Sequence, residues 1–304
     1  FFSNVLIYLM RCMYMQSGIL VINKEKNMTS RDVVNIACKK LGTKHIGHTG
    51  TLDPIATGVL VLGVNDGCKV IDLLTSVSKV YQAEVIVGLK TDTLDITGTI
   101  EEEYNIENLE KEKVENILKT FKGKYLQEVP KYSAIHVNGK RLYEYARENK
   151  EVELPKREVE IFDIKLLDEI KTEKNYYSFS FIVHVSKGTY IRSLIRDIGS
   201  KLGYPCTMKN LIRIKQGNFS LEEAISIDDI KEDKIVKIVD ALQEYEKLIV
   251  DDEVAKKVEN GSILSFDTNS DMVLILNQEN DLLAIYIRYD KDTSKMKPYK
   301  VFRR

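Results

Sequence analysis

The spacing of apolar residues predicts a chain that mixes strands with helices. Residues 19–22 and 59–63 are uninterrupted apolar runs, which is typical of short strands buried on both faces. Residues 81–87 and 179–185 alternate between apolar and polar positions, as half-buried strands do. No regular strand–helix–strand repeat connects these elements, so we predict an α+β fold rather than a doubly wound one.

Three helices are predicted from apolar residues at helical spacing, each ending at a glycine that can serve as a C-cap. Their spans are 29–42, 114–123 and 191–203. The first begins with Thr29 and Asp32 at the spacing of a capping box. Between the first two helices and the third, Asn138-Gly139 lies between β-capable flanks and predicts a hairpin.

The last part of the chain has a different character. A further helical stretch is predicted to begin at Ser220 and to continue in segments to about Ile249. Beyond it, short β-like runs at 263–266, 272–276 and 282–289 are separated by polar turns. We therefore expect a main domain over 15–249 and a small β domain over 250–304. Residues 1–14 are expected to be a non-native or disordered extension, with Met15 as the natural start.

Residues 47–58, which we call the glycine-rich loop, contain three glycines and a proline in twelve residues. This composition predicts a bent loop without regular helix or strand. The loop carries a single carboxylate, Asp53, just before the apolar run at 59–63. An acid on a rigid loop beside a core strand suits a catalytic group. An Asp-Pro pair that only starts a turn is the alternative that the local pattern leaves open.

Composition narrows the classes of partner and site. The net charge of −1 gives no global attraction to nucleic acid, so RNA binding would need local basic patches such as the lysine-rich stretch 24–44. The four cysteines are scattered without a C-x-x-C pair, and His45 and His48 lack a third ligand at a recognised spacing, so no metal is expected. The cysteine pattern fits a cytoplasmic protein. The apolar start is too short for a membrane span.

Six blocks of sequence resemble the TruB family of tRNA pseudouridine synthases and occur in the family's order. The glycine-rich loop matches the pattern G-H-T-G-x-L-D-P-x-A-T-G at every fixed position. The similarity extends from about Gly18 to Phe219 and more weakly to the end. The other five blocks are 18–30, 79–83, 91–95, 132–147 and 186–192.

The resemblance implies a pseudouridine synthase fold, which is a bent, mostly antiparallel mixed sheet flanked by helices, followed by a PUA-like C-terminal β domain. It also implies an RNA-clamping insertion at about 124–150. The implied activity is isomerisation of uridine to pseudouridine at position 55 in the T arm of tRNA, with the base flipped out of the RNA. This reaction exchanges an N1–C1′ bond for a C5–C1′ bond without redox change, so we expect no cofactor. Nothing in the sequence demands more than a monomer.

The resemblance also implies roles for three catalytic residues. Asp53 is the catalytic acid, and attack on the sugar, attack on the base and abstraction of a sugar proton all stay open. A carboxylate that must stay ionised in a closed pocket needs a nearby cation, because burial favours the neutral form. Arg192, in the first turn of the third predicted helix, is expected to supply it as a planar donor fork. Tyr81 is expected to stack on the uracil and to relay a proton.

Further positions are expected to contact the substrate. By resemblance, His48 occupies the space of the extruded base, Tyr190 and Leu211 contact the nucleotide, and Lys24 supports the loop or a phosphate. Basic residues interleaved with aromatic ones near the predicted hairpin suit a grip on the T loop by phosphate contact and stacking. Those named as substrate-binding are Tyr132, His136, Lys140 and Arg141.

Two other functions compete with this interpretation. A non-catalytic protein could use the same surface to fold tRNA, and a glycosidase could act on a small nucleoside. Glycosidases generally pair two catalytic carboxylates, whereas the sequence offers one well-placed acid.

Overall fold

A computed structural model describes residues 16–148, 150–173 and 176–302. The extension expected at 1–14 and the start expected at Met15 lie outside the described residues. The strands are β1 Gly18–Lys24, β2 Ile46–His48, β3 Thr57–Val64, β4 Lys79–Val87, β5 Leu89–Thr91, β6 Ile100–Glu103, β7 Gly123–Glu128, β8 His136–Val137, β9 Lys140–Arg141, β10 Lys156–Leu166, β11 Lys171–Glu173, β12 Tyr176–Val185, β13 Cys206–Gln216, β14 Phe219–Ser220, β15 Glu246–Ile249, β16 Met272–Leu276, β17 Leu282–Arg288 and β18 Met296–Val301. The helices are α1 Ser30–Leu41, α2 Ile71–Thr75, α3 Lys111–Lys119, α4 Leu142–Arg147, α5 Ile191–Leu202, α6 Ile238–Ala241 and α7 Asp252–Glu259.

The main sheet has the strand order β1-β3-β13-β4-β12-β10-β7, with β2, β14 and β11 paired at its margins. Among these pairs, β13 and β3 are parallel and the others are antiparallel. This is the mostly antiparallel mixed sheet expected from the sequence. The long strand β13 lies between β3, which follows the glycine-rich loop, and β4, which carries Tyr81.

Burial explains the two kinds of strand pattern. In β1 and β3 both faces are covered, so the apolar runs predicted as buried strands are confirmed. One face of these strands joins the main core, and the other packs against the C-terminal sheet. In β4 buried and half-buried residues alternate strictly, which confirms the alternation in the sequence.

The predicted signals of the first and third helices are also present. The end predicted for the second helix, at Gly123, is wrong, because α3 is capped by Thr120 and Gly123 begins β7. Thr29 is the N-cap of α1 and forms the capping box with Asp32, and Gly42 ends the helix in a left-handed conformation. Helix α5 begins after Tyr190 and ends at Gly203, with its apolar stripe buried against β13 and β4. No helix in the described ranges is long and apolar enough to cross a membrane.

A second sheet of four strands, β15-β16-β17-β18, forms the C-terminal part of the chain. It begins at Glu246, just ahead of the boundary expected at 250. Leu274, Ile285 and Phe302 pack with apolar residues of β1 and β3. The Nζ of Lys300 lies 3.0 Å from a carboxylate oxygen of Asp72. Apolar and ionic contacts thus join this sheet to the main one.

Several local predictions are wrong. The glycine-rich loop is not free of strands, because β2 includes its first two residues and β3 its last two. The helical stretch predicted from Ser220 contains turns, one short 3-10 helix, α6 and strand β15, since Ser220 and Glu223 close a turn by side-chain hydrogen bonds. Residues 263–266 form an isolated bridge rather than a strand, and β18 was not expected. The first residues of the insertion expected at 124–150 belong to β7 of the main sheet.

Candidate active site

A cavity of about 870 Å³ opens where the glycine-rich loop meets the start of α5. Its wall also includes the first residues of β4 and β10, the loop after β7 and the middle of β13. A volume of this size is typical of a small-molecule pocket and suits one nucleotide with its neighbours. Six of the residues predicted from the sequence line it, namely Asp53, Tyr81, Tyr132, Tyr190, Arg192 and Leu211.

Asp53 and Arg192 form a two-pronged ion pair inside this cavity. The Nε of Arg192 lies 2.8 Å from Asp53 Oδ2, and its Nη2 donates to Asp53 Oδ1 at 3.0 Å. The arginine side chain is 7% exposed and the aspartate 32%, so one face of the carboxylate is open to the cavity. Such a fork fixes both the charge and the orientation of the acid.

Three main-chain and side-chain oxygens hold the guanidinium of Arg192 from behind. Its Nη2 donates to the carbonyl of Tyr132 and its Nη1 to that of Thr93, both at 3.0 Å. Asp95 lies 4.0 Å from Nη1. The block 91–95, for which no role was predicted, therefore helps to fix the arginine that pairs with Asp53.

The backbone of the glycine-rich loop is fixed by groups from distant elements. The hydroxyl of Ser30 accepts a hydrogen bond from Leu52 N at 2.9 Å. At Gly58 the φ angle is +100°, and a Cβ there would lie 2.3 Å from the carbonyl oxygen of Arg213. The loop thus needs a glycine where β3 approaches β13.

Lys24 supports the same loop from inside the protein. Its side chain is completely buried, and its Nζ donates to the carbonyls of Glu25 and Met28 at 2.7 Å and of Pro54 at 3.4 Å. Burial lowers the pKa of Lys24 to about 8, although the charge of Asp53 partly opposes this effect. Contact between Lys24 and RNA is incompatible with its burial here, so of the two roles expected for it, loop support is the one that this geometry favours.

Three further cavity residues, Tyr81, Leu211 and Tyr190, contribute aromatic and apolar surface to the wall. Tyr81, on β4, and Leu211, on β13, are mostly buried with part of each side chain at the cavity wall. The ring of Tyr190 stacks under the guanidinium of Arg157, with 5.5 Å from Cζ to the ring centroid. Burial raises the pKa of the Tyr190 phenol, so this hydroxyl stays protonated and can donate a hydrogen bond at neutral pH.

His48 lies at the end of β2, beside the cavity rather than in its wall. Its Nδ1 accepts a hydrogen bond from the N–H of Gly50 at 3.3 Å. Burial, reinforced by the charges of Arg31 and Arg213, lowers the pKa of His48 below its usual value. The neutral form of the ring therefore predominates at pH 7.

The predicted hairpin forms from β8 and β9, with its basic residues on the outside. His136, Lys140 and Arg141 are exposed and do not line the cavity. Lys140 pairs with Glu148 at 2.7 Å, and Arg141 Nη1 donates to the hydroxyl of Tyr143 at 3.2 Å. The structure thus separates these three from Tyr132, which belongs to the cavity wall.

Two residues that complete the site, Arg213 and Gln127, were not predicted from the sequence. Arg213 is 1% exposed, and its Nε donates to the carbonyl of Val59 at 2.7 Å and its Nη2 to that of Gly50 at 3.2 Å. Gln127 binds the start of α5 by accepting from Tyr190 N at 2.8 Å and donating to Tyr190 O at 3.1 Å. Neither contact has a local sequence signal, because each joins positions more than sixty residues apart.

Comparison with known proteins defines the class first. The chain shares its fold with solved structures of H/ACA ribonucleoprotein components. One of them, "Structure of H/ACA RNP bound to a substrate RNA containing 2'-deoxyuridine", matches at a TM-score of 0.70 and 22% identity, over 96% of this chain and 87% of that one. A Nop10–Cbf5 complex matches at a TM-score of 0.69 over 96% of this chain and 88% of that one, with 22% identity. A sequence profile described as "TruB family pseudouridylate synthase (N terminal domain)" matches residues 38–191. The class is therefore that of the pseudouridine synthases.

Full-length relatives make the assignment more specific. The chain is 43% identical to "tRNA pseudouridine synthase B" of Bacillus subtilis (strain 168), over 94% of this chain and 98% of that protein. It is 41% identical to the protein of the same name from Bacillus licheniformis, with the same coverage. The chain belongs to the TruB family of pseudouridine synthases.

Proposed function

We propose that this TruB-family enzyme isomerises uridine to pseudouridine at position 55 in the T arm of tRNA. The observation that carries the proposal is the forked ion pair between Asp53 and Arg192 in a cavity of nucleotide size. The curated relatives are named as tRNA pseudouridine synthases, which supports tRNA as the substrate. The isomerisation leaves the composition of the nucleotide unchanged, so it needs positioned acid–base groups rather than an external reactant.

Asp53 is the reacting carboxylate in this proposal. The fork from Arg192 sets the orientation of this carboxylate, while its open face is directed to the cavity in which the sugar and base would lie. During the reaction the N1–C1′ bond breaks, the uracil turns, and C5 bonds to C1′. The proton on C5 is then lost and N1 gains one, so the atoms balance within the nucleotide and its proton donors.

The rings around the cavity would hold the base during this turn. Tyr81 and Leu211 lie on the same face of the neighbouring strands β4 and β13, and both line the cavity that contains the carboxylate. A base flipped out of the T loop loses its stacking partners, and aromatic contact returns part of that free energy. The Tyr81→Phe variant separates the two roles, since it keeps the ring and removes the hydroxyl.

RNA outside the cavity would contact the exposed basic residues of the hairpin and the neutral ring of His48. We further propose that the protein acts as a monomer, because residues of one chain form both the Asp53–Arg192 pair and the aromatic wall around it. The scattered cysteines support a reducing compartment, the cytoplasm. Size-exclusion chromatography with light scattering of the purified protein measures its oligomeric state. A dimer that dissociates only with loss of activity would contradict the proposed monomer.

The decisive experiment incubates purified protein with a T-arm stem-loop and measures pseudouridine by mass spectrometry after nuclease digestion. Wild-type protein should convert the target uridine in many turnovers, and Asp53→Asn should bind the RNA with nearly unchanged affinity and convert none. Asp163→Asn, which removes a surface carboxylate outside the cavity, is the matched control and should act like the wild type. Release of free uracil would instead identify a glycosidase. Binding without conversion by wild-type protein would identify a tRNA-folding protein.

A further inference from the structure

The cavity carries more positive charge than its acids can balance. Its wall contains five cationic side chains and two acidic ones, and the whole chain has a net charge of −1. One of the acids, Asp53, is already paired with Arg192. The other, Glu158, is exposed at the rim. The cations are Lys79, Arg157, Lys187, Arg192 and Arg213.

Lys79 is the least solvated of the cavity lysines. It is 7% exposed, and its Nζ donates to the carbonyls of Thr75 at 2.9 Å and Val77 at 2.7 Å. No carboxylate within the described residues forms an ion pair with it. Burial, with the nearby charges of Arg213 and Lys187, lowers its pKa to about 8. A protein that keeps a buried ammonium beside two other cations gains stability when an anion joins them.

Lys187 reaches the same turn from the other side of the cavity mouth. It is exposed, and its Nζ lies 3.4 Å from the hydroxyl of Ser76. It precedes Gly188, whose carbonyl oxygen accepts a hydrogen bond from Arg157 Nη1 at 3.4 Å. The turn 75–77 is thus flanked by a buried lysine and an exposed one, both bordering the space that the flipped nucleotide would fill.

We propose that Lys79 and Lys187 form a binding site for one phosphodiester group of the RNA strand, next to the nucleotide held in the cavity. The inference rests on the proposed function, because it takes its ligand from the RNA that this function requires. A nucleotide cannot enter the cavity without its flanking phosphates, so an anion must pass the basic mouth. Ammonium groups bind such an anion as point charges, and the released counterions favour the complex.

An alternative explanation exists for Lys79 alone. Its contact with Thr75, the last residue of α2, would stabilise that helix end even without RNA. Lys187 is exposed and reaches this helix end only through one 3.4 Å contact with the hydroxyl of Ser76, so its loss should disturb α2 less. Lys187→Gln is therefore the primary variant, and Lys79→Gln is the second.

The test measures RNA binding rather than conversion. Stem-loops that each carry one neutral methylphosphonate linkage near the target uridine are titrated against Asp53→Asn protein, with and without Lys187→Gln. One linkage should weaken binding to the parent about two- to fivefold, and the same linkage should have a smaller effect on the Lys187→Gln protein, in which only Lys79 remains at the phosphate. The slope of log affinity against log salt should fall by about 0.7 to 1 in the same variant. Lys171→Gln, which alters an exposed lysine far from the cavity wall, should change neither quantity.

Two results would overturn the proposal. If Lys187→Gln and the neutral linkage lowered the affinity independently at every linkage tested, Lys187 would contact no phosphate near the target. A Lys79→Gln protein with a lowered melting temperature and an unchanged salt slope would assign Lys79 to the helix end alone. Failure of the wild-type protein to convert uridine would remove the proposed function, yet the linkage-specific coupling would still be measurable. The two failures are therefore distinguishable.

Discussion

Replacement of Arg192 by lysine tests whether the fork, and not only the charge, is needed. The guanidinium gives Asp53 two contacts, at 2.8 and 3.0 Å, from two different nitrogens. An ammonium group at the end of a lysine can keep one of them, because its three donors diverge from a single atom. The contacts to the carbonyls of Thr93 and Tyr132 would also be lost.

The size of the effect follows from the lost contact. A hydrogen bond to a charged group contributes about 1.5–3 kcal/mol. If that contribution acts on the transition state, each 1.36 kcal/mol changes the rate about tenfold. Arg192→Lys should therefore slow the single-turnover rate about tenfold to a hundredfold. The affinity for RNA should change much less, since the pair is mostly buried beneath the substrate.

Rapid-quench measurement of pseudouridine formation under single-turnover conditions gives this rate directly. Arg196→Lys is the matched control, because Arg196 lies one turn later on α5 and bonds to Glu128 and Asp197 outside the cavity. It should stay within about threefold of the wild type. A wild-type rate for Arg192→Lys, or equal losses in both variants, would refute the reasoning that the fork holds the reacting carboxylate.

Three further predictions concern the parts that hold the site in place. Lys24→Met should lower the melting temperature by removing the donor to three carbonyls. The unfolded chain binds more protons than the folded one between the folded pKa of Lys24, about 8, and its usual 10.5. The stability of the wild type relative to this variant should therefore rise with pH across that window, and denaturant titrations that find a fall would contradict it. Gln127→Leu leaves the N–H of Tyr190 without its acceptor, so the free energy of unfolding in denaturant should fall by about 1–3 kcal/mol. The single-turnover rate should also fall, and an unchanged rate would mean that the start of α5 needs no such support. Gly58→Ala should cost about 2 kcal/mol or more, because its Cβ would press on the backbone of Arg213 at a positive φ; a melting temperature equal to that of the wild type would contradict this clash.

Sequence patterns predicted the parts of the fold that depend on neighbouring residues. The capping box at Thr29, the alternation of β4 and the Asn138-Gly139 turn all act within a few positions, and each is present. The helix predicted from Ser220 does not form. Ser220 and Glu223 close a turn instead, because the following residues pack as loops against β1. Helical spacing alone does not reveal such tertiary contacts.

The site residues also fall into two groups, those predicted from the sequence and those that only the structure reveals. Motif resemblance brought forward Asp53 and Arg192, and the structure places them in contact across 139 positions of sequence. The resemblance did not predict Gln127 or the paired roles of Lys79 and Lys187. Those residues act through main-chain carbonyls and through charges on other elements. Such roles depend on which strands become neighbours, and periodicity contains no information about that.

The geometry of the glycine-rich loop explains how one carboxylate can be both accessible and fixed. Its flanks become strands β2 and β3, so the loop leaves and re-enters the sheet at defined points. Between them, Ser30 and Arg213 hold the backbone before Asp53, at Leu52 and Gly50, and Lys24 holds it after Asp53, at Pro54. Because these groups are buried, any displacement of the loop would leave polar atoms without partners, at a cost of about 1–3 kcal/mol for each. We therefore expect the acid to keep its position when RNA binds, so that the binding energy can be used to extrude the nucleotide rather than to order the protein.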